Sequence, residues 1–283
     1  MFAEASFSLL TFIAVVLILR PMEIVAVVLF VSFISWLAFK WPRQKTVSTV
    51  PFNEAYRTIL AEKIKFYQEL TAAEKIIFEE RMQHFLSHVR ITGVNTTVED
   101  EDRVYVAASA IIPIFGFPAW EYNNLNEVLL YPDTFNQDFN MHKAEEKTVL
   151  GMVGDGPMQH MMVLSQPSLR EGFNNKSDKN NTGIHEFVHL LDKTDGAVDG
   201  IPENLLNKKY LLPWIERMHE SIKAIMANRS DINPYGATDQ AEFFAVVSEY
   251  FFERPDLLAS KHPQLYELLQ GIFRQNPIEQ KQA

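Results

Sequence analysis

The sequence predicts an α+β fold that is mostly helical with a small mixed sheet, preceded by an N-terminal transmembrane hairpin of two short helices. The first fifty residues concentrate apolar side chains into two runs, and later stretches repeat apolar residues with the spacing of an α-helix. Two short segments, residues 126–131 and 160–165, are typical of strands because prolines closely follow them. With 283 residues, 47% of them hydrophobic, the chain is long enough for one large domain with an appendage.

The hairpin prediction depends on residues 7–19 and 24–39, which are apolar except for scattered serine and threonine. Each run is short for a membrane span of about 20 residues, and Arg20, Pro21 and Glu23 separate the two. A cleaved signal peptide fits poorly because the chain lacks a basic start and a small-residue cleavage site, and a buried soluble helix pair would need a polar outer face. Whether the segment forms one span or two stays open.

A basic, tryptophan-containing flank follows the second run and predicts the orientation. Lys40, Trp41, Arg43 and Lys45 suit the cytoplasmic interface of a membrane, so we expect the C-terminal domain to face the cytoplasm. The predicted organisation is a membrane segment (residues 1–45), a linker (46–51), a globular domain (52–275) and a polar tail (276–283).

Cysteine content and charge narrow the possible chemistry. The chain has no cysteine, which excludes disulfides and cysteine-based metal or nucleophile sites, so any metal site must use His, Asp and Glu. The formal charge is −10; residues 1–50 hold four basic and two acidic residues, which leaves −12 for the remainder. Because an acidic domain repels phosphate backbones, the composition argues against nucleic-acid binding.

The stretch of residues 182–192 carries the clearest chemical motif, His-Glu-x-x-His in an apolar, helix-compatible run. On a helix, His185 and His189 lie one turn apart on the same face, where two imidazoles can hold one metal ion. Glu186 lies beside that face and can reach a metal-bound water as a general base, as in zinc peptidases. The alternative, a surface helix that happens to carry two histidines, does not explain the apolar residues around them.

A catalytic zinc site needs a third protein ligand, and Glu242 is the best candidate. It lies in a helix of large apolar residues predicted at about residues 240–252, where a buried carboxylate needs a positive partner. Glu249 is the rival, two turns along, and can instead support a ligand or be solvated. Tyr235, seven residues before Glu242, can donate to an oxyanion or simply pack in a turn. Asp192 can accept the second N–H of a histidine ligand or lie on the surface.

These residues together resemble the MtfA family, named for Mlc titration factor A, of bacterial zinc metallopeptidases. The resemblance is carried by residues 184–192, 233–238 and 241–252, and it extends over residues 52–273. It implies a zincin-like metallopeptidase domain, with Glu186 as the base and peptide or protein substrates. The zinc ligands (Zn²⁺) that it implies are His185, His189 and Glu242.

The catalytic region is also similar to that of anthrax lethal factor, in which a tyrosine seven residues before the glutamate ligand assists catalysis. This similarity implies a catalytic role for Tyr235. In such folds the substrate lies along an edge strand, and residues 161–165 are the predicted edge.

The best-known members of the family are cytoplasmic proteins without a hydrophobic hairpin, whereas this chain predicts a location at the bacterial cytoplasmic membrane. The family name reflects binding to a transcriptional repressor of sugar uptake. An alternative function is therefore a regulatory binding protein that sequesters a cytoplasmic partner such as a repressor, with peptidase activity secondary.

Overall fold

The computed structural model describes residues 51–133, 151–153, 160–175 and 178–280. Its strands are β1 (Arg90–Gly93), β2 (Glu127–Tyr131), β3 (Gly151–Val153) and β4 (Met161–Ser165). The helices are α1 (Glu54–Lys63), α2 (Lys65–Glu69), α3 (Ala72–His88), α4 (Asp100–Ile114), α5 (Gln166–Asn174), α6 (Thr182–Asp192), α7 (Leu211–Met226), α8 (Gln240–Glu253), α9 (Pro255–Lys261), α10 (Pro263–Phe273) and α11 (Pro277–Gln280). Short 3-10 turns occupy Lys193–Asp195, Lys208–Tyr210 and Pro234–Ala237.

The structure describes part of the predicted C-terminal tail but none of the predicted N-terminal hairpin. The predicted hairpin of residues 7–39 and its basic flank lie outside the described residues. Among the helices that are described, none combines the length and the apolar character needed to cross a membrane. At the other end, the predicted polar tail begins with α11, in which Pro277 is buried and Ile278 packs against the hydrophobic core.

The sheet is mixed, as predicted, with the strand order β1-β2-β4-β3. The pairs β1–β2 and β2–β4 are parallel, and β3 runs antiparallel to β4. The prediction that residues 161–165 form the edge strand is wrong, because β4 lies between β2 and β3. Burial gives the physical reason: four consecutive residues of β4 are buried, as in an interior strand, whereas β2 alternates. Among the described strands, β3 lies at that edge.

Helix α4 forms the centre of the core, since residues 104–114 are all buried. Residues 100–102 form its first turn, because their carboxylates are favourable at the positive end of the helix dipole. Pro113 does not stop the helix, which continues to Ile114.

The motif-bearing helix α6 packs closely against α4 because a glycine faces it. A Cβ added at Gly183 would lie 2.1 Å from the Ser109 Oγ atom, so only a glycine permits this separation of the two helices. Helix α6 also contacts α5, α8 and β3. These contacts fix the position of the helix that carries the two histidines.

Helix α8 lies against α6 and confirms the helix predicted at residues 240–252. Asp239 begins it, because its side chain accepts a hydrogen bond from the Glu242 backbone N–H at 2.9 Å. Nearly every residue from Ala241 to Glu253 is buried, with Glu242 the partly exposed exception. The two helices that carry the candidate metal ligands are therefore direct neighbours in the core.

Candidate metal centre

The two motif histidines lie on one face of α6, as their spacing predicts. Asn181 starts this helix, because its side-chain oxygen accepts a hydrogen bond from the Ile184 backbone N–H at 3.1 Å. The helix continues without a break through both histidines, and His185 is buried. The Nε2 atoms of His185 and His189 lie 3.1 Å apart.

Glu242 of α8 completes a group of three possible metal ligands. Its Oε2 atom lies 2.9 Å from His185 Nε2 and 3.5 Å from His189 Nε2. A tetrahedral ion with bonds of about 2.0–2.1 Å places its ligand atoms about 3.3 Å apart, so the spacing matches. At this separation at most one of the two facing nitrogens can carry a proton, which leaves an acceptor-rich gap. The geometry and the donor atoms therefore fit a divalent metal ion.

The electrostatics of the group follow from burial and from the mixture of charges. Burial lowers the pKa of His185, but the carboxylates of Glu249 and Glu242 outweigh burial and raise that pKa well above its ordinary value. Burial raises the pKa of Glu242, but its hydrogen bonds with His185 and His189 prevail and hold that pKa well below its usual range. Both shifts indicate that this site favours a positive charge between the carboxylates.

Glu249, the predicted rival ligand, lies behind His185 rather than in the ligand group. Its Oε1 atom is 2.7 Å from His185 Nδ1. A carboxylate only accepts hydrogen bonds, so Nδ1 carries a proton and donates it to Glu249, and Nε2 is the ring nitrogen left for the Glu242 side of the site. Glu249 thus has the supporting position that the sequence left open.

Asp192 matches neither alternative that the sequence left open, because it is fully buried and makes no hydrogen bond to a histidine ligand among the described residues. Its Oδ2 atom accepts from the Gly200 backbone N–H at 2.8 Å, while its buried Oδ1 and the buried Nδ1 of His189 have no hydrogen-bond partner among the described residues. Burial raises the pKa of Asp192 to about 6. The contact instead fastens the end of α6 to the following loop, where Gly200 has a φ of 75° and lies against the start of α8.

Glu186 is buried on the same helix, with 6% of its surface exposed. Burial raises the pKa of its carboxyl group, although both histidines act in the opposite direction. A raised pKa makes a carboxylate a better proton acceptor near neutral pH. The environment of Glu186 therefore suits a general base.

Tyr235 lies on the open side of the site, in the turn that precedes α8. Its side chain is 49% exposed, and its ring centroid is 6.0 Å from that of His185. The Asn233 side chain fixes the turn by accepting from the Tyr235 backbone N–H at 3.0 Å. Burial of part of the ring, followed by the Glu242 carboxylate, raises the pKa of Tyr235 to about 12. The hydroxyl therefore keeps its proton at neutral pH and can donate a hydrogen bond.

Sequence reasoning missed Asn181, which is fully buried beside the site. Its backbone N–H donates to Glu249, and its side chain contacts α5, α6 and α8. The available signal was its place immediately before the apolar run, since asparagine is a preferred helix N-cap. Its contact with the second carboxylate of α8 had no sequence signal.

Comparisons with known proteins identify the relatives of this chain. A model of the family described as glucose-regulated metallo-peptidase M90 matches residues 38–274. An uncharacterized protein of Synechocystis sp. is 29% identical, over 83% of this chain and 89% of that protein. Mlc titration factor A of Serratia proteamaculans is 30% identical, over 69% of this chain and 77% of that protein. Mlc titration factor A of Escherichia fergusonii is 28% identical, over 84% of this chain and 92% of that protein. With its predicted MtfA resemblance confirmed, the chain belongs to the M90 family of metallopeptidases, a family that implies a bound metal ion and a peptide or protein substrate.

Proposed function

We propose that this protein is a zinc-dependent peptidase whose metal ligands are His185, His189 and Glu242. The observation that carries the proposal is the convergence of two imidazole nitrogens and one carboxylate oxygen, all within 4.8 Å of one another, from two helices. Two histidines and one glutamate form a ligand set of catalytic zinc, which leaves a fourth position open. Zinc is favoured over magnesium or calcium because those ions prefer oxygen ligands.

The residues around the ligands have separate roles in hydrolysis. A bound zinc ion supplies Lewis acidity, which lowers the pKa of a water to about 7 and polarises a carbonyl. The Glu186 carboxylate accepts the proton of the attacking water and then delivers it to the leaving amine. The Tyr235 hydroxyl donates a hydrogen bond to the oxygen on which negative charge develops.

We place the substrate backbone along β3 rather than along β4. The support is the position of β3 at the edge of the described sheet and its contact with α6. An extended peptide can add to such an edge through backbone hydrogen bonds, which depend little on substrate sequence.

We also propose that the catalytic domain lies at the cytoplasmic face of the bacterial cytoplasmic membrane. This proposal rests on the apolar residues 7–39 and the basic flank after them, which are known from the sequence alone. Cell fractionation of the full chain and of a chain that starts at Val50 tests it. Recovery of both proteins in the same soluble fraction would contradict the anchor.

The main experiment replaces Glu186 with Gln and measures zinc content and hydrolysis of a fluorogenic peptide library. We expect the variant to keep zinc, because Glu186 is not a ligand, and to lose about 10²–10⁴-fold in kcat/KM, the usual contribution of a general base. Glu242→Gln should lose both zinc and activity, and Glu216→Gln, at an exposed position of α7, should lose neither. Unchanged cleavage by Glu186→Gln would refute the mechanism.

A second candidate function follows from the names of the relatives. Several of them are called Mlc titration factor A, a name that indicates an interaction with Mlc. The alternative is therefore a regulatory protein that sequesters a cytoplasmic partner, such as a transcriptional repressor. The Glu186→Gln protein discriminates between the two functions. If its expression restores the wild-type phenotype to a deletion strain, binding is sufficient. If the deletion phenotype persists, the function is hydrolysis.

A further inference from the structure

The carboxylate of Glu249 is buried, with 5% of the residue exposed, and its ion-pair partner among the described residues is His185. Burying a carboxylate costs free energy unless every acceptor is used. Glu249 lies seven residues after Glu242 on α8, which is about 20° short of two full turns, so both carboxylates point to the same side of the helix.

The two carboxylates hold the two nitrogens of one imidazole. Glu249 Oε1 lies 2.7 Å from His185 Nδ1, and Glu242 Oε2 lies 2.9 Å from His185 Nε2. We infer that Glu249 is a positioning residue, which fixes the tautomer and the ring orientation of His185 and thereby sets the affinity for the metal. This inference rests on the proposed metal site and assigns a role to a residue outside its ligand set.

The second oxygen of Glu249 connects this histidine to the beginning of its own helix. Oε2 accepts a hydrogen bond from the backbone N–H of Asn181. Asn181 is 0% exposed, and its Nδ2 donates to the Gly172 carbonyl oxygen and to Glu253 Oε1, at 3.1 Å each. The residue that orients His185 is thus itself held by the first turn of α6 and by the end of α5.

The chemistry of Glu249 makes it hard to replace. Two donors face it, the Asn181 backbone N–H and the His185 Nδ1–H, and a carboxylate accepts from both. A glutamine has a single carbonyl oxygen and a donating NH₂ group, so it leaves one of these two donors facing another donor. Glu249→Gln therefore either releases His185 or disturbs the start of α6.

The metal affinity should depend on the hydrogen bond to His185 in particular, because His189 has no equivalent bond among the described residues. Its Nδ1 atom is buried and has no hydrogen-bond partner within the described part of the chain. Second-sphere hydrogen bonds to histidine ligands change metal affinity by about 10–100-fold. Glu249 supplies such a bond to one of the two histidines, so its loss should not be compensated by the other.

Glu253 is a matched control one turn further along α8. It is also buried, at 9% exposed, and it contacts the same Asn181. Only one donor, Asn181 Nδ2, faces its side chain in the described hydrogen bonds, and the oxygen of a glutamine can still accept from it. Glu253→Gln therefore changes the same buried region without touching His185.

The experiment measures zinc affinity of the full chain in detergent by competition with a coloured chelator, together with the visible spectrum of the cobalt-loaded protein. We expect Glu249→Gln to bind zinc about 10–100-fold more weakly and to change the cobalt spectrum. Glu253→Gln should bind within about threefold of the unmodified protein, and Glu249→Asp, which keeps two acceptor oxygens, should bind more tightly than Glu249→Gln. Thermal unfolding of the metal-free proteins checks that all of them fold.

The outcomes separate this inference from the proposed function. Equal zinc affinity of Glu249→Gln and the unmodified protein would overturn the positioning role while leaving the peptidase proposal intact. Equal weakening by Glu249→Gln and Glu253→Gln would also overturn it, because the effect would then come from Asn181. If the unmodified protein shows no difference from buffer in the competition assay, or if a His189→Ala variant binds zinc as tightly as the unmodified protein, the metal site itself fails and both proposals fall.

Discussion

Two clusters built around carboxylates lie within the same group of helices, and they balance their charge differently. In the first, Asp231 is the single acceptor for several donors from neighbouring segments. These contacts are from Tyr250 Oη at 2.8 Å, His262 Nε2 at 2.8 Å, Lys261 Nζ at 3.1 Å and Lys179 Nζ at 3.4 Å. This cluster needs no bound ion, because the chain itself supplies the positive charge.

The second cluster, the candidate metal centre, has the opposite composition. Among the described ion pairs, the partners of Glu242 and Glu249 are His185 and His189. An imidazole that acts as a metal ligand is neutral, so in that state only a bound cation balances the two carboxylates. A buried acceptor-rich group is costly, and its persistence is explained by a ligand that the chain does not provide. A buried group of carboxylates that lacks positively charged side chains can therefore mark the binding site of a cation.

Metal removal should give the largest difference between the two clusters. We expect a strong chelator to lower the free energy of unfolding by about 4 kcal/mol when zinc is present at roughly a thousand times its dissociation constant. Calorimetry with and without chelator measures the loss, and hydrogen exchange should increase in α6 before it increases around Asp231.

The control for metal removal is His189→Ala, which lacks one ligand and should not respond to the chelator. Identical unfolding curves of the unmodified protein with and without chelator would show that the second cluster, like the first, is stable without a bound ion.

Tyr235→Phe should have the next largest effect, on catalysis alone. Loss of the hydroxyl should lower kcat about 10²–10³-fold, or about 2.7–4 kcal/mol, with little change in KM, since the hydrogen bond forms to charge that develops in the transition state. Steady-state kinetics with a fluorogenic peptide measures it. Tyr210→Phe is the matched control, because Tyr210 is also exposed, at 40%, and has no place in the site. Equal rates for Tyr235→Phe and the unmodified enzyme would contradict the role.

Asp231→Asn should have the smallest effect, about 1–2 kcal/mol of stability at pH 7. Burial raises the pKa of Asp231, but hydrogen bonds from His262, Tyr250 and Lys261 outweigh it and hold that pKa well below its usual range. A carboxylate with a lowered folded-state pKa stabilises the fold fully above its unfolded pKa of about 3.9, and the stabilisation is lost as pH falls towards the folded value. The difference in free energy of unfolding between Asp231→Asn and the unmodified protein should therefore become smaller in acid.

Urea unfolding at pH 7, 4 and 2.5 measures this gap. Glu267→Gln, at an exposed site of α10, is the control and should change stability little at any of these pH values. A gap that stays constant in acid would mean that shape, rather than charge, accounts for the role of Asp231.

Much of the local structure could be predicted because its cause is local. The helix at residues 240–252 and the strand at 126–131 follow from periodicity and flanking turns, and the structure confirms both. Residues 161–165 show where this reasoning stops. Their strand was predictable, but their place inside the sheet depends on residues 151–153, which pair with them from a separate part of the chain.

The sequence by itself determined that His185 and His189 face one point, because four residues make about one turn of any α-helix. It favoured Glu242 over Glu249, but helical spacing did not separate them, since seven residues make about two turns and leave both carboxylates on one side of α8. The packing of α8 against α6 separated their positions, with Glu242 at the Nε2 atom of His185 and Glu249 at its Nδ1 atom. The same packing buried Asn181 against Glu249 and Glu253, because hydrogen-bond partners far apart in sequence are set by tertiary contacts rather than by helical spacing.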